Sequence, residues 1–267
     1  DFNESSTLRG IALMIAATIL FSIMHASIKY MSGNMHPFEI AFFRNFFGLF
    51  VIAPWFIKYG LEPLKTKKIK LHVARSIFNV LAMLSFFYAL SVTSLAEVSS
   101  LGFTAPLFAT ILAVFFLKEV VGIKRICAII FGFIGTLIVI DPVFSSIDFG
   151  HLLVLFSASV WSVSLIIIKV LGRTESSVTI TSYMVLFMIP LSGFAAFFHW
   201  QIPTLFDLLF LFLIGITGTC AQMLLAQALR EGDTNIIMPF DFLKLIWAVC
   251  IGYLFFLEVP SLNVWIG

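Results

Sequence analysis

Apolar runs of about twenty residues recur from one end of this sequence to the other. A helix needs about that many apolar residues to cross the roughly 30 Å hydrocarbon core of a bilayer. Apolar residues make up 61% of the chain and charged residues 11%, whereas soluble domains contain about 45–50% and about 25%. Runs such as LLVLFSASVWSVSLIIIKV do not alternate polar and apolar residues as transmembrane β-strands do. The sequence therefore predicts an all-α integral membrane protein.

Turn signals between the apolar runs divide the chain into predicted spans. The spans cover residues 9–31, 37–57, 70–91, 94–117, 123–141, 149–171, 177–199, 205–229 and 234–257. Apart from Lys29, Arg44 and Lys244, which lie inside spans, the Lys and Arg residues all fall on the side of the N-terminus. They lie at the start of span 1 or in and beside the loops after spans 2, 4, 6 and 8, and Arg75 is grouped with the loop after span 2. Because cytoplasmic loops are enriched in these residues, the pattern predicts a multi-pass protein of the cell (inner) membrane with a cytoplasmic N-terminus.

The two halves of the chain are similar to each other. Shifts of 140 or 139 positions superimpose Gly10 on Gly150, Ser22 on Ser162, Lys29 on Lys169 and Glu119 on Glu258. The predicted repeats are residues 1–141, with spans 1–5, and residues 142–267, with spans 6–9 and the start of span 10. A repeat of five spans must lie inverted relative to the other, an arrangement typical of secondary transporters with a midplane substrate site. We therefore expect a ten-helix bundle whose tenth helix is missing from this chain.

One stretch in each half also resembles a known family. The stretches are residues 86–142 and 224–259, and the shared marks are Tyr88, Ala89, Leu90, Pro106, Glu119, Gly132, Gly135 and Glu258. The pattern resembles the EamA family of the drug/metabolite transporter superfamily. The resemblance implies an inverted-repeat carrier that moves small organic solutes by alternating access. MHPFEIAFFRNFF, residues 35–47, is similar to the second span of S-adenosylmethionine uptake carriers, but the Asp241-x-x-Lys244 arrangement is not part of that similarity.

Two oppositely charged residues lie inside the apolar ninth span. Asp241 and Lys244 are three residues apart, on one predicted helix face together with Trp247. They could simply neutralise each other, which lowers the cost of burying both. Yet replacing a buried pair by apolar groups is often neutral or stabilising. We therefore expect Asp241 to bind a solute amine and Lys244 a carboxylate, with their mutual pairing closing the empty site.

Other spans supply further candidates for solute contact. Arg44 in span 2 could hold a carboxylate, and structural pairing is an equal alternative. Span 1 contains a predicted stripe on one helix face that would line a path: Thr18, Ser22, His25 and Lys29. His25 is a candidate proton sensor. The simpler interpretation is that His25 is a core residue and that Lys29 extends to the outer surface. Further candidates for solute contact are Gln222, which lies near Gly215 and Gly218, and the rings of Tyr88, Trp161 and Trp247. For each of them, helix packing is the alternative role.

Three residues are expected to act in gating or structure. Pro106 can kink span 4 and expose a carbonyl group. Glu119 and Glu258 close spans 4 and 9 at equivalent positions, where the family resemblance implies a role at helix ends rather than substrate binding. The three cysteines, Cys127, Cys220 and Cys250, lie in apolar runs without metal-ligand spacing and are predicted to be buried free thiols.

The leading functional hypothesis is a secondary active transporter for amino-acid-like, nucleoside-like or S-adenosyl metabolites. An integral-membrane enzyme would need clustered catalytic or metal-ligating residues, and the histidines are scattered. A channel or a non-transporting scaffold is a further alternative. No nucleotide-binding motif is present. We expect no cofactor, no metal and no nucleic acid; the predicted partners are a small-molecule solute and membrane lipid, with a coupling ion, a counter-substrate and a homodimer left open.

Overall fold

The computed structural model describes residues 4–105, 107–109, 111–112, 123–140, 148–231 and 234–266. The helices in these residues are α1 (Glu4–Met31), α2 (Pro37–Tyr59), α3 (Ile69–Val92), α4 (Leu95–Gly102), α5 (Ile123–Ile140), α6 (Phe149–Gly172), α7 (Ser177–Phe197), α8 (Leu205–Glu231), α9 (Thr234–Ile237), α10 (Leu243–Phe256) and α11 (Leu262–Ile266). Two 3₁₀ segments, Glu62–Leu64 and Met238–Phe242, lie between them. The described part of the chain is therefore helical, as the sequence predicts.

Within the described ranges, seven helical stretches are long and apolar enough to cross a membrane. They are α1, α2, α3, α6, α7, α8 and the stretch Met238–Phe256 that contains α10. These stretches correspond to seven of the nine predicted spans. The other two predictions, 94–117 and 123–141, run partly over residues outside the described ranges, and α4 and α5 are helices within them.

Local sequence explains where several helices begin. Pro37 is the first residue of α2, where its missing N–H costs nothing, and the His36 side chain accepts the N–H of Phe38. Ser94 and Ser176 precede α4 and α7, and each side chain accepts a backbone N–H three residues later. These caps satisfy amide groups that a helix leaves unpaired at its start.

Helices of the two halves pack against one another in matched pairs. Spans 1 and 8 form one pair, as α1 on α8, and their repeat equivalents, spans 6 and 3, form another, as α6 on α3. Spans 2 and 7 pack as α2 on α7, and spans 4 and 9 pack through α4 and α10. Exchanging the two halves leaves this set of pairs unchanged. The packing therefore has the pseudo-two-fold symmetry that an inverted repeat predicts.

Glycines allow α2 and α8 to approach closely. A Cβ atom at Gly215 would lie 2.5 Å from the Cβ of Phe47 and 3.1 Å from the backbone oxygen of Arg44. One turn along α8, a Cβ at Gly218 would lie 2.9 Å from Nε of Arg44. Small residues at such positions bring helices together in membranes, which is the packing role that the sequence indicated for this stripe.

The outer surface of the bundle is apolar. Large side chains such as Ile57, Phe131 and Phe194 are 85%, 73% and 73% exposed, as expected for residues that face lipid. The three cysteines are free. Their predicted burial is wrong for Cys127 and Cys250, which are exposed because they lie on outward faces of α5 and α10.

We predict that Gly215→Ala destabilises the protein by roughly 1–3 kcal/mol, the usual cost of overpacking a tight interface. The new methyl group would meet the backbone of α2, which cannot move aside as a flexible side chain can. Gly33→Ala is the matched control, since Gly33 lies in a turn where the nearest atom is 3.5 Å away. Thermal unfolding in detergent measures both, and equal stability of the two variants would contradict the close approach.

Candidate functional site

A cavity lies between the two halves of the bundle. It has a volume of about 150 Å³ for the centres of water-sized molecules, against roughly 10–15 Å³ on the same measure for a single water. The walls come from α1, α2, α3, α4, α6, α7, α8, the 3₁₀ segment Met238–Phe242 and the first turn of α10. Aromatic rings contribute much of the wall: Phe21, Phe86, Phe87, Phe103 and Trp161. Such a wall suits a flat, largely apolar group.

The Asp241–Lys244 pair lines this cavity. Asp241 lies in the 3₁₀ segment Met238–Phe242, whose second residue is Pro239, and Lys244 lies in the first turn of α10. The two side chains form an ion pair and are 15% and 21% exposed. The Lys244 Nζ atom also lies 4.6 Å from the centre of the Phe21 ring. Irregular backbone at membrane depth is tolerated where it lines a cavity, and here it carries Asp241.

Arg44 contributes a second cation to the wall. Its side chain is 3% exposed; Nη1 donates to Oδ1 of Asn45 at 2.8 Å and Nη2 to the backbone oxygen of Gly218 at 3.2 Å. Within the described residues, Nε has no hydrogen-bond partner and no carboxylate pairs with the guanidinium. Arg44 is therefore a buried cation in the cavity wall that no described carboxylate neutralises.

The remaining sequence candidates divide into two groups. His25, Gln222 and Trp161 line the cavity, and the His25 ring packs 4.9 Å from the ring of Phe86. Tyr88 and Trp247 are not among the lining residues. The Tyr88 ring lies 6.2 Å from that of His36, and Trp247 donates to Oγ1 of Thr18 at 3.3 Å, joining α10 to α1.

The predicted stripe on α1 does not line one continuous path. Thr18 and Ser22 are buried and donate to backbone oxygens of their own helix. Of the four stripe residues, His25 alone belongs to the cavity wall. Lys29 does not extend free to the surface, because its Nζ atom lies 2.9 Å from Oε1 of Glu258.

Lys29 and Glu258 join the two halves at one end of the bundle. Lys29 at the end of α1 also donates to the backbone oxygen of Thr93 at 2.7 Å. The second oxygen of Glu258 accepts the N–H of Leu95 at 2.9 Å, at the start of α4. Glu258 therefore holds α1 and the α3–α4 junction to the end of α10. The other two residues predicted to act in gating or structure, Pro106 and Glu119, lie outside the described residues.

Further contacts between the halves lie near the α1–α2 turn. The rings of His36 and His199 stack with centres 3.7 Å apart. Partial burial, and secondarily the nearby His199, lower the pKa of His36, so the neutral ring that caps α2 is favoured. Glu39 in the first turn of α2 accepts the N–H of Gln201 at 3.3 Å. This set of contacts closes one end of the interface between the repeats.

Arg75 is a functional candidate that sequence reasoning missed. The charge pattern grouped it with the basic residues around the loop after span 2, yet its side chain is 1% exposed inside the bundle. Nη1 donates to the backbone oxygen of Ile180 at 2.8 Å, and Nη2 lies 3.4 Å from Oε1 of Gln222. The position of Arg75 could have indicated that its side chain lies inside the bundle, because the residue lies almost two turns after the start of α3.

A repeated helical frame around a cavity that holds charged side chains is typical of membrane transport proteins. The chain belongs to the EamA-like transporter family, whose pattern matches residues 8–141 and again residues 148–267. The chain is 32% identical to the S-adenosylmethionine uptake transporter of Rickettsia bellii, covering 94% of this chain and 87% of that protein. It is 29% identical to the riboflavin transporter of Vibrio cholerae, covering 97% and 89%. These relatives support a small-molecule transporter and not an enzyme.

A solved crystal structure shows the same fold. It superposes on 98% of this chain and 93% of its own with a TM-score of 0.71, at 17% sequence identity. At that identity the likeness concerns the fold alone.

We predict that Lys29→Met destabilises the protein by about 1.5–3 kcal/mol, because it leaves the partly buried Glu258 carboxylate without its cation. The double variant Lys29→Met/Glu258→Gln should recover part of that loss, since no unpaired charge remains. Thermal unfolding of the purified variants measures both effects. The matched control is Lys65→Met, which removes an exposed ion pair with Glu62 and should change stability by less than about 1 kcal/mol. Additive effects of the two substitutions would contradict the pairing.

Proposed function

We propose that this chain is a secondary active transporter for a metabolite that joins a heteroaromatic ring to a zwitterionic amino-acid end. The observation that carries the proposal is the Asp241–Lys244 ion pair inside a cavity walled by aromatic rings. In this proposal Asp241 binds the solute amine and Lys244 its carboxylate. The ring lies among the aromatic side chains, where Trp161 and Phe103 offer surfaces for stacking.

The surroundings of Asp241 and Lys244 favour a role in solute binding over mutual neutralisation alone. Both side chains reach the cavity, so that a bound zwitterion can replace each partner by an equivalent charge. Opening the pair then costs little free energy, because each ion keeps a counter-ion throughout. In the absence of solute the pair closes and avoids an unpaired charge in a low-dielectric site.

An S-adenosyl compound fits these charges better than riboflavin. Relatives named for S-adenosylmethionine uptake and for riboflavin transport have similar identities to this chain, so overall similarity does not separate the two. Riboflavin carries no amine and no carboxylate for Asp241 and Lys244. S-adenosylmethionine carries both, together with an adenine ring. Arg44, His25 and Gln222 complete the proposed binding site on the other walls.

Transport by alternating access follows from the two repeats. We take residues 1–141 and 142–267 as the units that move against each other, in a cell (inner) membrane with the N-terminus in the cytoplasm. The Lys29–Glu258 contact is the proposed closure at one end of the cavity, and it must break for that end to open. A coupling ion, a counter-substrate or a second copy of the chain would act on this same cycle.

Uptake of labelled S-adenosylmethionine into cells that express the full chain tests the proposal. We expect saturable uptake that unlabelled riboflavin does not inhibit. Arg44→Gln, Asp241→Asn and Lys244→Gln should each reduce uptake at least tenfold, which corresponds to about 1.4 kcal/mol or more of lost interaction, while the amount of protein in the membrane stays similar. Lys169→Gln, at an exposed position of α6, is the matched control and should not change uptake.

The variant Asp241→Leu/Lys244→Leu separates function from structure. It removes both charges at once and so leaves no unpaired ion. We expect a folded protein without uptake. Normal uptake by this variant would show that the two charges only satisfy each other, and riboflavin uptake that survives it would assign the cavity to the uncharged solute.

A further inference from the structure

Arg75 has its guanidinium behind the wall of the cavity. It extends from α3 to acceptors on α7 and α8, the backbone oxygen of Ile180 at 2.8 Å and Oε1 of Gln222 at 3.4 Å. Arg75 is not among the lining residues, and no carboxylate in the described part of the chain pairs with it. An ionised group inside a membrane bundle usually marks a functional site. Its position one layer behind the wall indicates that it acts through a neighbour.

The neighbour that reaches the cavity is Gln222, which is 6% exposed and lines the wall. A guanidinium has five N–H donors and no acceptor. The carbonyl oxygen of Gln222 must therefore face Arg75, and its NH₂ group must point away from Arg75. No described residue accepts a hydrogen bond from that NH₂ group. The amide is thus held with its donors directed towards the cavity.

Arg44 lies beside this part of the wall. It binds the backbone oxygen of Gly218, one turn before Gln222 on α8, and its Nε is buried without a partner in the described residues. Gly218 and Gln222 lie on the same helix face, four residues apart. The donor that this part of the wall offers to a solute is therefore the NH₂ group of Gln222.

We propose that Arg75 is a positioning residue that fixes Gln222 as a donor, and that this donor selects solutes whose ring presents an acceptor. The acceptor would be a ring nitrogen or a ring carbonyl oxygen. The selection step rests on the proposed function, whereas the fixed orientation of the amide does not. Arg75 itself does not touch the solute.

The orientation is tested without any solute by NMR of the glutamine side-chain amides. The chain contains only three glutamines, Gln201, Gln222 and Gln227, so selective ¹⁵N labelling gives few signals, and Gln222→Leu identifies the one of interest. In Arg75→Met we expect the Gln222 amide signal to move, while the signals of Gln201 and Gln227 stay in place. An unmoved Gln222 signal in folded Arg75→Met would overturn the positioning role.

The selection is tested by competition with ring analogues that each have one ring nitrogen replaced by C–H. The labelled probe is S-adenosylmethionine, or riboflavin if only riboflavin is taken up. In the wild type we expect one analogue to inhibit roughly 5- to 30-fold more weakly than the parent, as for loss of one hydrogen bond at a buried donor. In Gln222→Leu and in Arg75→Met that analogue and the parent should inhibit within about twofold of each other.

Controls distinguish positioning from a structural role. A merely structural Arg75 would lower the maximal rate for parent and analogue alike and keep their ratio at the wild-type value, which would overturn the proposal. Arg173→Met, at an exposed arginine, should leave rate and ratio unchanged. If the wild type takes up neither probe, the proposed function is contradicted. The Gln222 amide signal alone then decides whether Arg75 positions this side chain.

Discussion

The cost of placing ionised side chains in hydrocarbon governs the interior of this bundle. A charged residue at the centre of a membrane helix costs about 2.5–3.5 kcal/mol on insertion scales. Arg44, Arg75, Asp241 and Lys244 all lie within membrane-crossing helices, and each turns into the bundle rather than towards lipid. The bundle must therefore keep a polar interior, in which Arg44, Asp241 and Lys244 line the cavity and Arg75 lies behind its wall. Glycines on α8 make room for the arginine of α2.

The repeat explains how one chain builds a cavity with two dissimilar walls. Matched pairs of helices from the two halves give the frame its pseudo-two-fold symmetry. The charged residues do not follow that symmetry, since Arg44 and Arg75 come from the first half while Asp241 and Lys244 come from the second. A symmetric frame allows two equivalent closed arrangements, one at each end. In the proposed binding mode, the asymmetric side chains would give the solute one orientation within it.

Most of the fold could be predicted from the sequence, because hydrophobic length, turn residues and the repeat offset are all local or periodic signals. The cavity was predictable only in part. Charged residues in an apolar run are rare, so the sequence could reveal Asp241, Lys244 and Arg44. Trp247 was placed on the same stripe as Asp241 and Lys244 by assuming one continuous helix. In an α-helix Trp247 lies about 60° around the axis from Lys244, and the 3₁₀ segment alters the register further, so that Trp247 faces Thr18. Arg75 was missed because a cation near the start of a span is typical of a loop flank.

A structure of the full chain with and without S-adenosylmethionine tests the central claim most directly. The account predicts that the solute lies between the aromatic walls, that its amine and carboxylate contact Asp241 and Lys244, and that these two side chains have separated. An unchanged Asp241–Lys244 ion pair with the solute absent from the cavity, or bound elsewhere, would contradict it.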